Sequence, residues 1–146
     1  AFTLALAECL GTDSHIYSVD LDQRSLKTQE TRFDAEYPDN KITFIQKDFS
    51  HKLDLPSLDG IIMANSLHFV REKLPVVELL HSYLNHWGRL IMVEYDTAQG
   101  NQYVPYPMTF DMWSKLAKEA GFPKTELLAT RPSSFLGQFF SAVSYK

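Results

Sequence analysis

Three short stretches of the chain end in polar residues able to hold a ligand: "IYSVDLD" at 16–22, "QKDFS" at 46–50 and "ANSLHFV" at 64–70. In the first, strand-like residues run straight into Asp20 and Asp22. A carboxylate in that position can accept both hydroxyls of a ribose, or it can accept its own following backbone N–H in a turn, a role for which Asp is well suited. Asp48 closes the second stretch, and Asn65 and His68 close the third. Downstream, "EYDTAQGNQYVPYPM" at 94–108 brings Glu94, Tyr95, Tyr103 and Tyr106, groups that orient a substrate or take its proton. Each residue alone has an ordinary structural role, since a buried Glu94 hydrogen-bonds neighbouring backbone and a Tyr/Pro loop packs as a surface lid. Tyr103 and Trp113 are read in that structural way. The reason to expect a site is the joint pattern of polar tips on successive strands.

The elements that must carry those tips alternate between two periods. Phe2, Ala5, Leu6, Cys9 and Leu10 share a helical face, with Gly11 where a left-handed C-terminal cap is expected. Strand character follows at 16–19, then a mostly solvated helix at 24–36 anchored by Leu26 and Phe33, and a strand at 42–46. The continuous apolar run "GIIMAN" at 60–65 has the composition of a central parallel strand covered on both faces. A helix over 74–86 places Leu74, Val77, Leu80 and Leu84 on one side, and Pro75 is tolerated in its first turn. A buried strand at 89–95, a helix at 110–120 capped by Thr109 and closed by Gly121, and strands at 125–130 and 139–145 complete the chain. This alternation predicts one α/β domain over 1–146, with a doubly wound, mostly parallel sheet and a C-terminal antiparallel hairpin. In such sheets ligands bind at the carboxyl ends of the strands, which is where Asp20, Asp48 and Asn65 lie.

Composition narrows the function classes. The 146 residues are 45% hydrophobic and 22% charged, with a formal charge of -4 and a pI near 5.7. Neither that balance nor any run of Lys/Arg suits a phosphate-tracking surface, so nucleic acid is not expected as a partner. Cys9 is the only cysteine, which precludes an internal disulfide and a thiolate zinc site and fits a reducing, cytoplasmic setting. No apolar stretch approaches the roughly 20 residues that span a bilayer, so no membrane partner is expected either. His15, His51, His81 and His86 have no spacing that converges on a metal, and none is predicted.

The order "FTLALAECLG…IYSVDLD…ITFIQKDFS…LDGIIMANSLHFV…WGRLIMVEYD…FDMWSKLAKEAGF" resembles the class I S-adenosylmethionine-dependent methyltransferases over nearly the whole chain. The resemblance implies a Rossmann-like fold, S-adenosylmethionine as cofactor and a small-molecule acceptor. By the same resemblance, Asp20 binds the ribose hydroxyls, Leu21 packs on the adenine, Asp48 meets the adenine amine with Phe49 at the ring edge, and Asn65 faces the methionine moiety. Asp22 is a turn or helix-start residue. "NSLHFV" looks like the family's "N-x-x-H-H" pattern with Phe69 in place of the second histidine. His68, Glu94 and Tyr106 are the catalytic candidates.

Two other functions share parts of this pattern. A short-chain reductase needs a helical Tyr-x-x-x-Lys pair, and the one such spacing, "YPDNK", is turn material containing Pro. A non-catalytic methyltransferase-like subunit or interaction domain remains open, because a fold can outlive its chemistry.

The family's Gly-rich loop, E/D-x-G-x-G-x-G between the first strand and first helix, is not among these residues, whose six glycines are all isolated. The family's first strand lies between the strands placed here at 16–19 and 61–65. The expectation is therefore that these two are not hydrogen-bonded to each other, and that upstream residues, another segment or another subunit fill the gap.

Overall fold

The computed structural model describes residues 2–146. They form two compact units, the first running to residue 53 and the second over 54–146.

The first unit contains α1 (Phe2–Leu10), β1 (His15–Asp20), α2 (Gln23–Glu36) and β2 (Lys41–Gln46). β1 and β2 pair in parallel, with Asp20 opposite Gln46. Gly11 closes α1 at φ +68°, its N–H donating to the Ala7 carbonyl at 3.1 Å, as the sequence predicts. The buried face of α1 differs from the predicted one. Ala7 is buried and Leu4 and Leu6 pack beside it, while Phe2, Cys9 and Leu10 are exposed. In a helix this short and this apolar, more than one stripe satisfies the 3.6-residue period, and contact with β1 and α2 selects among them. The core here is Ala7, Ile16 and Phe33, with the Phe44 ring edge-on to Phe33 at 6.3 Å. Leu26 and Phe33 anchor α2 as expected.

The second unit contains β3 (Leu58–Ala64), a single 3₁₀ turn at Leu67–Phe69, α3 (Leu74–Tyr83), β4 (Leu84–Tyr95), α4 (Phe110–Glu119), β5 (Lys124–Pro132) and β6 (Gln138–Tyr145). Its sheet runs in the order β3-β4-β6-β5, parallel between β3 and β4 and antiparallel between β4 and β6 and between β6 and β5. The C-terminal hairpin is thus present, with its second strand inserted against β4. The helix predicted to reach residue 86 ends at Tyr83. Leu84 keeps the apolar spacing that follows Leu80, yet it pairs with Leu58 as the first residue of β4, so sheet hydrogen bonding overrides the helical period. Thr109 caps α4 by accepting the Met112 N–H, and Gly121 ends it at φ +104°. α3 packs on β4, and α4 on α3, β5 and β6. Trp113, Leu90, Met92 and Phe140 are fully buried.

β1 is hydrogen-bonded to β2 and β3 to β4; no pairing joins β1 to β3 among the described residues.

Candidate active site

In the first unit the parallel register brings two carboxylates to one rim. Asp20 ends β1, and its carbonyl accepts the N–H of Lys47, the residue that leaves β2 one position before Asp48. Asp20 Oδ1 accepts the Asp22 N–H at 2.9 Å. Its Oδ2 has no hydrogen-bond partner among the described residues. Asp22 is the N-cap of α2, accepting from the N–H groups of Arg24 and Ser25, and the hydroxyl of Ser25, donating at 2.7 Å, holds its carboxyl below the ordinary carboxylate range. It is a helix-start residue, as the sequence predicts. Leu21, between the two acids, is 68% exposed.

Asp48 is more engaged. Its Oδ1 accepts from the hydroxyl of Ser50 at 2.7 Å and from the Ser50 N–H at 2.9 Å, and Oδ2 lies 3.4 Å from His51 Nδ1. The Ser50 hydroxyl is the main reason its carboxyl titrates below the usual range. Phe49 is half-buried beside it. A cleft of about 350 Å³ in this unit runs along α2 past Arg24, Thr28 and Arg32 and includes neither Asp20 nor Asp48, so its size does not mark the rim.

In the second unit, β3 ends level with β4: Ala64 pairs with Val93, and the Asn65 N–H donates to the Val93 carbonyl at 2.9 Å. Asn65 then takes φ 51°, a left-handed conformation that Asn tolerates better than most residues. Beyond it the N–H groups of Ser66, Leu67 and His68 all donate to Glu94 Oε1, at 2.9, 2.8 and 3.3 Å. Glu94 Oε2 accepts from His68 Nδ1 at 2.7 Å. Both side chains are buried, Glu94 completely. Because a carboxylate only accepts, the His68 proton on that side is on Nδ1, and in the neutral imidazole Nε2 carries the lone pair.

The sequence offered a signal for this acid beyond its place at a strand end. Leu90, Met92 and Glu94 alternate on one face of β4, and all three are fully buried, so the period of two that points Leu90 inward also points Glu94 inward. Tyr106 donates its N–H to the His68 carbonyl at 3.0 Å and is 41% exposed. Tyr95 lies 6.0 Å from the His68 ring and Phe69 4.3 Å. The 96–108 loop is fixed at several points: Asp96 accepts from Phe110 N–H and Gln138 Nε2, Asn101 accepts from the N–H groups of Tyr103 and Val104, and Val104 and Met108 are buried. Tyr103 sits on the exposed side of that loop, and Trp113 lies in the core.

The structure therefore brings Asp20, Leu21 and Asp48 to one rim of the first unit. It gathers Asn65, His68, Glu94 and Tyr106 at one end of β3 and β4 in the second. Sequence reasoning missed two neighbouring cations, Arg71 and Lys73, which follow the 3₁₀ turn. No local run of basic residues announces them.

The fold has solved counterparts. A protein of Nostoc punctiforme is 16% identical with a TM-score of 0.78, covering 99% of this chain and 48% of its own. A SAM-dependent methyltransferase of Aquifex aeolicus is 15% identical, with a TM-score of 0.73 and coverage of 99% and 75%. An arsenic(III) S-adenosylmethionine methyltransferase of Chlamydomonas reinhardtii is 14% identical, with a TM-score of 0.78 and coverage of 98% and 58%. The chain thus spans about half the length of the cyanobacterial protein and three quarters of the Aquifex one. These likenesses establish a Rossmann-like α/β fold. No curated protein matches the sequence. A family model described as a methyltransferase domain matches residues 1–127, and on that match the chain belongs to the methyltransferase domain family.

Proposed function

We propose that the protein transfers a methyl group from S-adenosylmethionine to a small-molecule acceptor. The observation that carries this reading is Asp20: a carboxylate at the carboxyl end of a parallel strand, with one oxygen engaged by the following turn and the other unpartnered. That donor set fits a nucleoside. The free oxygen would accept from ribose hydroxyls, exposed Leu21 would cover an adenine face, and Asp48 and Phe49 would hold the adenine edge. In the second unit, Asn65 carries a side-chain amide with both donors and an acceptor at the end of β3, suited to the amino-acid end of the cofactor.

When bound, the cofactor supplies a methyl group on sulfonium, with a neutral thioether as leaving group. The protein's task is then mainly positioning, which can supply roughly 7–11 kcal/mol of a barrier. Glu94 contributes indirectly: it ties the Ser66–His68 turn to β4 and fixes the His68 tautomer, leaving Nε2 as the atom able to accept a proton from an acceptor hydroxyl. Tyr106, 41% exposed and tied through its N–H to the His68 carbonyl, would orient that acceptor through its hydroxyl.

Calorimetry with S-adenosylmethionine on the full chain tests the reading, with Asp20→Ala as the comparison. Saturable binding that Asp20→Ala weakens supports it, and binding unchanged within error overturns the ribose assignment. The second reading, a non-catalytic subunit, draws on the near-complete burial of His68 and Glu94, which leaves little acid–base surface at the rim. Absence of S-adenosylmethionine binding would decide for it.

A further inference from the structure

The second unit holds a cleft of about 300 Å³ that no step above uses. One wall is the segment between the 3₁₀ turn and α3, carrying Arg71, Glu72 and Lys73. The other is apolar: Met108, Met112 and Leu116, the last two from α4. Met112 is 48% exposed although it lies against this cleft, so its thioether side chain has apolar surface to offer.

The two cations stand close in sequence on one wall of the cleft. Among the described residues, neither Arg71 nor Lys73 has a carboxylate within ion-pair distance. Lys73 is half-buried, and its ammonium donates to the Val70 carbonyl at 2.7 Å and stands 5.7 Å from the Tyr106 ring centroid. One hydrogen bond leaves two of its three N–H donors for another acceptor. Burial pushes its pKa down, opposed in part by the Glu94 and Glu72 carboxylates. No side chain caps the N-terminus of α3, which begins beside these cations, and Pro75 has no N–H to offer. The positive end of the helix adds to the same local potential. Among the described residues Glu72 is the only anion lining the cleft, so the lining carries a net positive charge on a protein whose overall charge is -4.

A partly desolvated ammonium, Lys73, and an exposed guanidinium, Arg71, next to an apolar wall are complementary to one ligand chemistry, an anionic head on a hydrocarbon body. The volume lies at the lower end of the roughly 300–1,000 Å³ found for small-molecule sites, which suits one short chain. We propose that this cleft binds an amphipathic monocarboxylate, with the carboxylate on Arg71 and Lys73 and the hydrocarbon on Met108, Met112 and Leu116. Tyr106 links it to the rim, touching Lys73 with its ring and the His68 carbonyl with its N–H. The cleft is accordingly where an acidic acceptor is anchored, and that last assignment alone rests on the methyl-transfer reading.

The test titrates the full chain, without S-adenosylmethionine, with octanoate and separately with 1-octanol, following methyl NMR signals of labelled Met108 and Met112. Octanoate is expected to shift both signals saturably and to bind at least about tenfold more tightly than the uncharged alcohol, a charge-assisted preference. Arg71→Gln, at an exposed position, is expected to weaken octanoate binding by about tenfold, and Lys73→Gln by at least as much. The proposal is overturned by unshifted Met108 and Met112 signals, by equal affinity for acid and alcohol, or by octanoate binding that Arg71→Gln leaves intact. Failure of the methyl-transfer reading appears elsewhere, as absence of S-adenosylmethionine binding, and leaves the octanoate result standing.

Discussion

Replacing Glu94 should unfold the second unit far more easily than its position near a candidate site suggests. The carboxylate takes four donors: three backbone N–H groups of the Ser66–His68 turn and His68 Nδ1. Glu94→Ala leaves all of these without their acceptor in a buried place, where each unmade bond costs about 1–3 kcal/mol. Partial relaxation lets the turn recover some water contacts, so the net loss should resemble the roughly 3–5 kcal/mol of a broken buried pair. Set against a typical domain stability of about 5–15 kcal/mol, that is a large fraction. Glu94→Gln keeps the volume and one acceptor oxygen but turns an NH₂ toward a donor, and about 1.5–3 kcal/mol is expected. Both tryptophans, Trp87 and Trp113, lie in this unit, so their fluorescence in urea reports its unfolding. Removal of His68 as well should cost less than the sum of the single losses, because the two share one interaction. A Glu94→Gln loss below about 0.5 kcal/mol, the level of an ordinary surface change, would refute the idea that this acid holds the turn in place.

Asp20→Ala should lower S-adenosylmethionine affinity by about 1.5–3 kcal/mol, the worth of a hydrogen bond to a charged group, while the melting temperature stays nearly constant because only the Asp22 N–H loses a partner. Asp48→Ala should reduce affinity for adenine-containing ligands more than it shifts the melting temperature; a large stability loss with normal binding would make Asp48 a turn residue and nothing more. His81 gives a pH dependence of defined sign. Burial, with the Lys146 ammonium second, pulls its pKa below the ordinary 6.5, and its ring lies 3.3 Å from where a Cβ on Gly121 would stand. Above pH 6.5 the imidazole is neutral folded or unfolded and contributes nothing; below it the unfolded chain takes up the proton first, so stability falls until the folded-state pKa is passed. The drop in melting temperature between pH 7.5 and 5.5 should therefore shrink in His81→Gln, and an unchanged drop would remove His81 from the account.

Most of the fold was legible because its signals are local. Gly11, Asp22, Thr109 and Gly121 each mark a helix end through their own backbone or first-turn bonds, and each performs there as its residue type demands. Periodicity failed where two partners compete for an apolar residue. Leu84 continues the helical stripe of α3, and only pairing with Leu58 assigns it to the sheet. In α1 the choice between the Phe2 and Leu4 stripes depends on the packing of Ala7 with Ile16 and Phe33, which no local pattern contains. The Arg71–Met112 cleft was illegible for the same reason, since its two walls are distant in sequence and meet only through the packing of α3 and α4.

The carboxylates at the strand ends look equivalent in sequence, and the structure separates them by how many donors the chain itself supplies. A carboxylate offers about four lone-pair sites. Glu94 fills its sites from three backbone N–H groups and His68, because strand alternation turns it inward beneath the turn that follows β3. Asp22 accepts from Arg24 N–H and from both the N–H and hydroxyl of Ser25, and Asp48 has Ser50 twice and His51 once. Among the described residues Asp20 has the Asp22 N–H alone. Binding a ligand hydroxyl stabilises a complex to the extent that the acceptor is not already satisfied, so the capacity to bind falls from Asp20 to Asp48 and Asp22 and vanishes at Glu94. The same count assigns the opposite order for stability: removal of Glu94 should be felt throughout its unit, and removal of Asp20 chiefly by a ligand.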